Sequence, residues 1–354
     1  MNDNGSTTIG QRHVMVVGMH RSGTSAVANG LFELGVGLPV DTEMIGTGPY
    51  NEKGHWESRD LARLDEAVLR YLGGTWSAPP LPDPGWETSD EPVFASLRAQ
   101  AMDLASRSFA RPPIVLKDPR FCITLPLWRA ILGRPPCAVL VVRDPFDVAR
   151  SLQRRDGFPL TLGLAIWERY VRQSILSVAG LPVYAVEYGS IVDDPRGRIS
   201  ELAEFLSSCE VNLPKNRTDQ AVSVFEKDLR HHNREGIGVT PEPHSEMFDL
   251  LRSCSGAHAS FTPPELPQEP AWVGDVLWLT AAGQAVTAGL QAAQWELKWI
   301  KRSRLFRTSR AFWRATGTGP VLSPSPDEST DDSPTDRAND VARPNATSPR
   351  AGTR

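Results

Sequence analysis

Four short apolar runs punctuate this chain up to residue 186: Val14–Val17, 114–116, 138–142 and 183–186. Each is rich in Val, Leu or Ile and ends at glycine, proline or charge, the pattern of a buried strand. Between them the apolar positions change to a spacing of three and four, which predicts helices over 22–34, 60–72, 92–109, 125–132, 160–178 and 195–206. Pro145 follows the third run and suits the first turn of a further helix. Strands alternating with helices predict an α/β fold, a parallel sheet covered on both faces by helices. Residues 35–57 are rich in Gly and Pro and residues 75–91 in Pro and Trp, so both are expected as loops.

Beyond residue 235 the periodicity weakens. The proline-rich stretch FTPPELPQEPAW leads to a helix expected over 280–301, and from 316 the chain is mostly Pro, Ser, Thr and Asp. Such a tail lacks the apolar surface to fold and is expected to be disordered. The organisation read from sequence is a flexible leader over 1–12, a main domain over 13–235, a helical C-terminal extension over 236–315 and a disordered tail over 316–354.

Composition narrows the class. The 354 residues are 40% hydrophobic and 23% charged, as in a soluble folded protein, and the net charge of -4 argues against a general nucleic-acid binder. Cys122, Cys137, Cys209 and Cys254 show no CxxC spacing, so neither a metal centre nor a disulfide framework is expected, and a reducing compartment is the simpler reading. The N-terminus lacks the apolar core of a signal peptide and no run is long enough to cross a bilayer, so a cytoplasmic location is expected.

The candidate chemistry starts at the first strand. MVVGMHRSGTSAV places four residues between Gly18 and Gly23, before two hydroxyl residues, close to a nucleoside-triphosphatase phosphate loop. Thr24 stands where that motif needs lysine. A glycine-rich turn entering a helix still offers backbone N–H groups and the positive end of the helix dipole to an anion. Arg21 adds fixed charge, and Ser22, Thr24 and Ser25 add hydroxyls. The missing lysine points to a donor without a triphosphate.

VVRDPFDVARSL supplies a second clamp, read as separate from the first. Arg143 ends the third strand, and Ser151 lies eight residues on, about two helical turns away. Both suit the crevice where open α/β sheets bind ligands, although Arg143 could instead pair with Asp144 or Asp147. Two anion clamps fit a nucleotide with phosphates on its 3′ and 5′ sides.

These motifs resemble the sulfotransferases that use 3′-phosphoadenosine 5′-phosphosulfate (PAPS). GMHRSGTS is similar to their loop for the 5′-phosphosulfate, and the spacing from Arg143 to Ser151 to their 3′-phosphate motif. NEKGHWES, VLKDPRFCITLPLW, RRDGFP and VFEKDLRHH resemble a bacterial sulfotransferase family more narrowly, and the resemblance spans about residues 13–235. It implies the P-loop kinase-like sulfotransferase fold, PAPS as donor, 3′,5′-bisphosphate (PAP) as product, and no metal. It also implies that Gly18, Ser22, Gly23, Thr24 and Ser25 hold the 5′ side and that Arg143 and Ser151 hold the 3′-phosphate. Arg21, where many relatives carry lysine, would neutralise the leaving phosphate.

The acceptor hydroxyl needs a base. Glu57 and His55 in NEKGHWES are the candidates, with the alternative that Glu57 only favours the N-terminus of the next helix. Lys117 in KDPR is a candidate for touching the sulfonate or the acceptor, while Asp118 could lock Arg120 in an ion pair. Trp56, Trp76, Trp86 and Trp167 are either acceptor-pocket or core residues. The expected partner is a hydroxyl-bearing acceptor, a glycan or glycolipid first and a natural product second, with no nucleic acid.

WELKWIKRSRLFRTSRAFWR, residues 295–314, mixes aromatics with basic residues. It reads either as a helix with a solvated basic face or as a peripheral contact with the anionic inner face of a membrane. The competing functions are a P-loop nucleotide kinase and a non-catalytic nucleotide-binding module in surface-polysaccharide assembly.

Overall fold

A computed structural model describes residues 12–47, 54–111, 113–226 and 244–302. The leader over 1–11, most of the basic segment at 295–314 and the tail expected from 316 lie outside the described residues.

The sheet is the α/β sheet expected, with one addition. Its order is β2-β1-β3-β4-β5, with β1 Val14–Val17, β2 Val115–Lys117, β3 Cys137–Val142, β4 Val183–Glu187 and β5 Gly256–His258. The first four are parallel, in registers such as Val16 with Lys117 and Val17 with Leu140, and β5 runs antiparallel to β4. The three residues of β5, Gly-Ala-His, carry no strand signature, so the sheet closes with an edge from beyond residue 235 that sequence periodicity does not show.

Strand side chains alternate between two cores, which explains why the runs are apolar throughout. Met15, Val17, Leu116, Leu140 and Val142 pack with α2 (Arg59–Tyr71), α3 (Pro92–Ser108), α4 (Phe121–Ile131), α5 (Pro145–Asp156) and α6 (Leu160–Ser177). Val14, Val16, Val115, Val139 and Val141 pack on the other face with α1 (Thr24–Glu33), α7 (Tyr188–Asp193), α8 (Pro195–Ser208) and α9 (Thr218–Glu226). Two more helices follow, α10 (His244–Ser253) and α11 (Ala271–Arg302).

Five helices depart from the sequence expectation. α7, α9 and α10 were not expected. α4 begins at Phe121 although Pro126 sits inside it, which argues for a later start. The helix tolerates the proline because the carbonyl of Cys122, four residues earlier, accepts a hydrogen bond from Ser177 Oγ at 2.6 Å instead. α11 begins nine residues before the expected position, at Ala271, because Val273 and Leu277 find the core.

Residues to Thr287 form one compact unit, and a second unit runs from Ala288. In the first, Gln284 is held by Thr75 and Ser77 at 3.0 and 2.9 Å. In the second, Leu290, Trp295, Leu297 and Trp299 are exposed. Among the described residues no helix is long and apolar enough to cross a membrane.

Candidate active site

Strand order reverses direction between β1 and β3, and their carboxyl ends open the crevice where α/β sheets take ligands. The loop from Gly18 to Gly23 leaves β1 there and enters α1. It runs so close to β3 that a Cβ on Gly18 would sit 2.5 Å from the Val141 carbonyl oxygen. Gly23 is the N-cap of α1 at φ +88°, and a Cβ there would strike the Tyr188 ring at 2.1 Å. Arg21 holds φ +68°, a left-handed conformation that costs a non-glycine residue about 1 kcal/mol or more. No side chain caps α1, so the amides of its first turn point into the crevice without intrahelical acceptors. Ser22 Oγ is buried with no partner, an arrangement that costs ~1–3 kcal/mol unless an acceptor binds.

The second clamp proves contiguous with the first. Arg21 Nε donates to Ser151 Oγ at 2.8 Å, and Arg143 Nη1 donates to the Arg21 carbonyl at 3.2 Å. The reading of two separate clamps is therefore corrected: α5 carries Ser151 back along β3 until it touches the loop. Trp167 Nε1 pins the Arg143 carbonyl at 3.0 Å, and the Arg143 guanidinium lies 5.6 Å from the Tyr188 ring centre. The alternative pairing of Arg143 is weak. Asp144 caps α5 through the amides of Phe146 and Asp147, and Asp147 lies 3.5 Å from Arg143 with its side chain well exposed.

Lys117, the last residue of β2, arrives from the other side of β1. It is buried, donates to Ser25 Oγ at 3.3 Å and to the His55 carbonyl at 3.1 Å, and forms an ion pair with Glu57. The loop bearing His55 and Glu57 is tied back on itself by Ile45 N–H to the Glu57 carbonyl at 2.7 Å and by the pairing of Met44 with Ser58. Ser58, not Glu57, caps α2, its hydroxyl accepting from the Leu61 amide. The His55 side chain is half-buried, and burial pushes its pKa down, with Glu57 opposing. Arg120 pairs with Asp118 at 3.2 Å and Glu66 at 2.8 Å, the locked arrangement that sequence left as an alternative. Among the described residues no group of His, Cys, Asp and Glu could hold a metal ion.

Positive charge is crowded here. Burial lowers the Arg21 pKa to about 10, and Arg155 and Arg143 push in the same direction. Arg155, from the RRDGFP stretch, lies over the Trp76 ring at 5.4 Å. His20 packs against Trp76 at 4.8 Å and edge-on to Tyr170 at 5.7 Å between ring centres. Sequence reasoning passed over His20, Arg155 and Tyr170. The first two lay inside stretches already singled out, whereas nothing near Tyr170 marks it. Of the four tryptophans, Trp76 borders this cluster and Trp167, a core residue, reaches it through the Arg143 carbonyl, whereas Trp86 packs on Phe94 and Trp56 on Phe32.

No family model matches the chain, and no curated protein does. Among solved structures it is similar to the sulfotransferase domain of the Synechococcus PCC 7002 olefin synthase, at 17% identity and TM-score 0.35, over 77% of this chain and 95% of that one. The sulfotransferase domain of the curacin biosynthetic pathway gives 14% identity and TM-score 0.35, over 77% and 98%. A sulfotransferase from Mycobacterium tuberculosis H37Rv gives 15% and 0.32, over 60% and 71%.

Proposed function

We propose that this protein is a sulfotransferase that moves a sulfuryl group from PAPS to a hydroxyl of a glycan, a glycolipid or another small acceptor. The observation that carries the reading is the single anion-binding crevice in which Arg21, Ser22, Arg143 and Ser151 converge on an uncapped helix N-terminus. A ligand with phosphates at both ends of one nucleoside matches it. The donor fits on chemical grounds: crowded cations and the orphaned Ser22 hydroxyl both favour a highly charged anion.

Bound PAPS would supply an activated sulfuryl group, and the residues supply position and charge. The amides of Gly23 to Ser25 and the Ser22 hydroxyl hold the 5′ side, with Gly18 letting the loop pass close to the sheet. Arg21 offsets charge on the leaving phosphate. Ser151 accepts from Arg21 Nε, so its own hydrogen is free for the 3′-phosphate, alongside Arg143. Lys117 brings a further positive charge beneath the loop from a different strand, its ammonium held by Ser25, the His55 carbonyl and Glu57. The protein acts in the cytoplasm, with residues 295–314 contacting the inner face of the membrane where the acceptor is a glycolipid.

Calorimetric titration with PAP beside ATP tests the reading. PAP should bind tightly and ATP weakly, and Arg143→Ala should cost about 10- to 100-fold in PAP affinity, as expected for lost charged hydrogen bonds. Absence of PAP binding would sink the proposal. The kinase reading draws on one observation, the approach of Lys117 to Ser25, and steady ATP turnover would favour it.

A further inference from the structure

The crevice contains two orphaned polar atoms that binding of the donor does not explain. His20 Nε2 and the Tyr170 hydroxyl are both buried, and neither has a hydrogen-bond partner. Their rings meet edge-on at 5.7 Å, and Trp76 closes the other side of His20 at 4.8 Å. Trp76 is backed in turn by Phe158 at 5.7 Å. Orphaned atoms on adjoining rings are costly to bury, and native structures keep few of them. One hydroxyl would satisfy both, donating to Nε2 while accepting from the Tyr170 O–H. His20 also immediately precedes Arg21 in the chain, and the Arg21 charge is among those that act on its imidazole.

We propose that His20 is the catalytic base, its Nε2 receiving the proton of the acceptor hydroxyl while Tyr170 holds the same oxygen. The inference rests on the sulfotransferase reading above. In the step, the acceptor oxygen forms a bond to the sulfur of PAPS, and the bond from sulfur to the bridging phosphate oxygen breaks. The electron pair leaves with PAP and the hydroxyl proton passes to His20. Glu57 is a poorer candidate because its carboxylate is engaged by Lys117.

The electrostatic surroundings tie this base to the donor. Burial first, then Arg120, Arg155, Lys117 and Arg21, hold the His20 pKa well below its usual value and keep the imidazole neutral. Tyr170 and Trp76, the rings packed on it, carry no charge at neutral pH. Arg21, Lys117 and Arg155 are the cations that a bound polyanion would offset. Binding of a polyanion at the loop, PAPS or PAP, would therefore raise the basicity of His20.

The test uses the full chain with radiolabelled PAPS, with water and with 4-nitrophenol as acceptors, in wild type, His20→Gln, His20→Asn and Tyr170→Phe. Glutamine can accept the hydroxyl's hydrogen bond but cannot take its proton. His20→Gln should keep the PAP dissociation constant within about threefold and lower sulfuryl release at least about 100-fold, the scale of general-base catalysis. Tyr170→Phe should raise KM more than it lowers kcat. Unchanged turnover in His20→Gln overturns the proposal, and so does a matching loss of PAP affinity, which would make His20 a donor contact. If the wild type turns over neither acceptor, histidine NMR decides: the His20 pKa must rise by about one unit or more on adding PAP. An unmoved imidazole, as when a buried water serves both atoms, overturns it. Failure of the wild type to bind PAP would instead remove the sulfotransferase reading itself.

Discussion

Two regions of this molecule bury arginines, and they treat them oppositely. On α6, Arg169 meets Glu269 through two bonds at 2.8 and 3.0 Å, and Arg172 meets Glu168 at 2.5 Å and the Pro267 carbonyl at 2.7 Å. At the carboxyl ends of β1 and β3, Arg21 meets the neutral hydroxyl of Ser151 and faces Arg155 and Arg143. The first region matches each charge with a carboxylate and so fastens α6 to the segment before α11. The second gathers like charge on a loop held at positive φ, offset in part by Asp156, a surrounding that favours an anion over a cation. Buried arginine alone does not mark a functional site; the identity of its partner does.

Paired substitutions should break or sharpen that contrast. The largest effect is expected from Arg21→Ala, which should weaken PAP binding about 100-fold or more, since charged hydrogen bonds are worth ~1.5–3 kcal/mol each, and should leave the melting temperature of the free protein unchanged or raised. Arg169→Ala should do the reverse. It strands Glu269, with a cost of roughly 3–5 kcal/mol for breaking a buried pair, while PAP affinity in the folded protein stays within about twofold. If calorimetry and thermal melts showed Arg169→Ala weakening PAP as much as Arg21→Ala, the division between the regions would collapse.

Smaller effects come from buried groups that neither region uses. Asp65 lies fully buried on α2, accepts from Trp128 Nε1 at 2.8 Å, and has its pKa pushed well above the usual range by burial and then by Asp118. A carboxyl whose folded pKa is raised binds more protons folded than unfolded, so it costs stability once pH exceeds the unfolded value. Asp65→Asn should therefore raise the unfolding free energy measured in urea at pH 8 by about 1 kcal/mol, and much less at pH 4. His13 has the opposite sign. Burial lowers its pKa from 6.5 to about 4, so the unfolded chain binds the extra proton between those values and stability falls as pH drops through that window. His13→Gln should flatten the acid limb of a stability-versus-pH curve by about 1–2 kcal/mol; an unchanged slope would show that His13 titrates normally.

Much of the frame was legible because its signals are local. Val14–Val17 and Cys137–Val142 are apolar at every position because a parallel strand is covered on both faces. Pro145 and Asp144 announce the start of α5, and the glycines before α1 announce a turn that a side chain would block. The sheet edge was illegible because Gly256–His258 joins by main-chain bonds that any sequence can make. The early start of α4 was hidden by Pro126, whose cost is met by Ser177 from another helix.

The site divides the same way. The chain alone settles that a glycine-rich loop without a lysine leaves the first strand and that Arg143 and Ser151 are eight residues apart, because a strand-turn-helix unit is organised by its neighbours in sequence. Only the tertiary structure brings Ser151 to Arg21, 130 residues away, Lys117 to Ser25, 92 away, and Tyr170 to His20. Those meetings depend on β1 lying between β2 and β3. That order is decided by which apolar faces bury best against one another across the whole sheet, a quantity no local stretch of sequence contains.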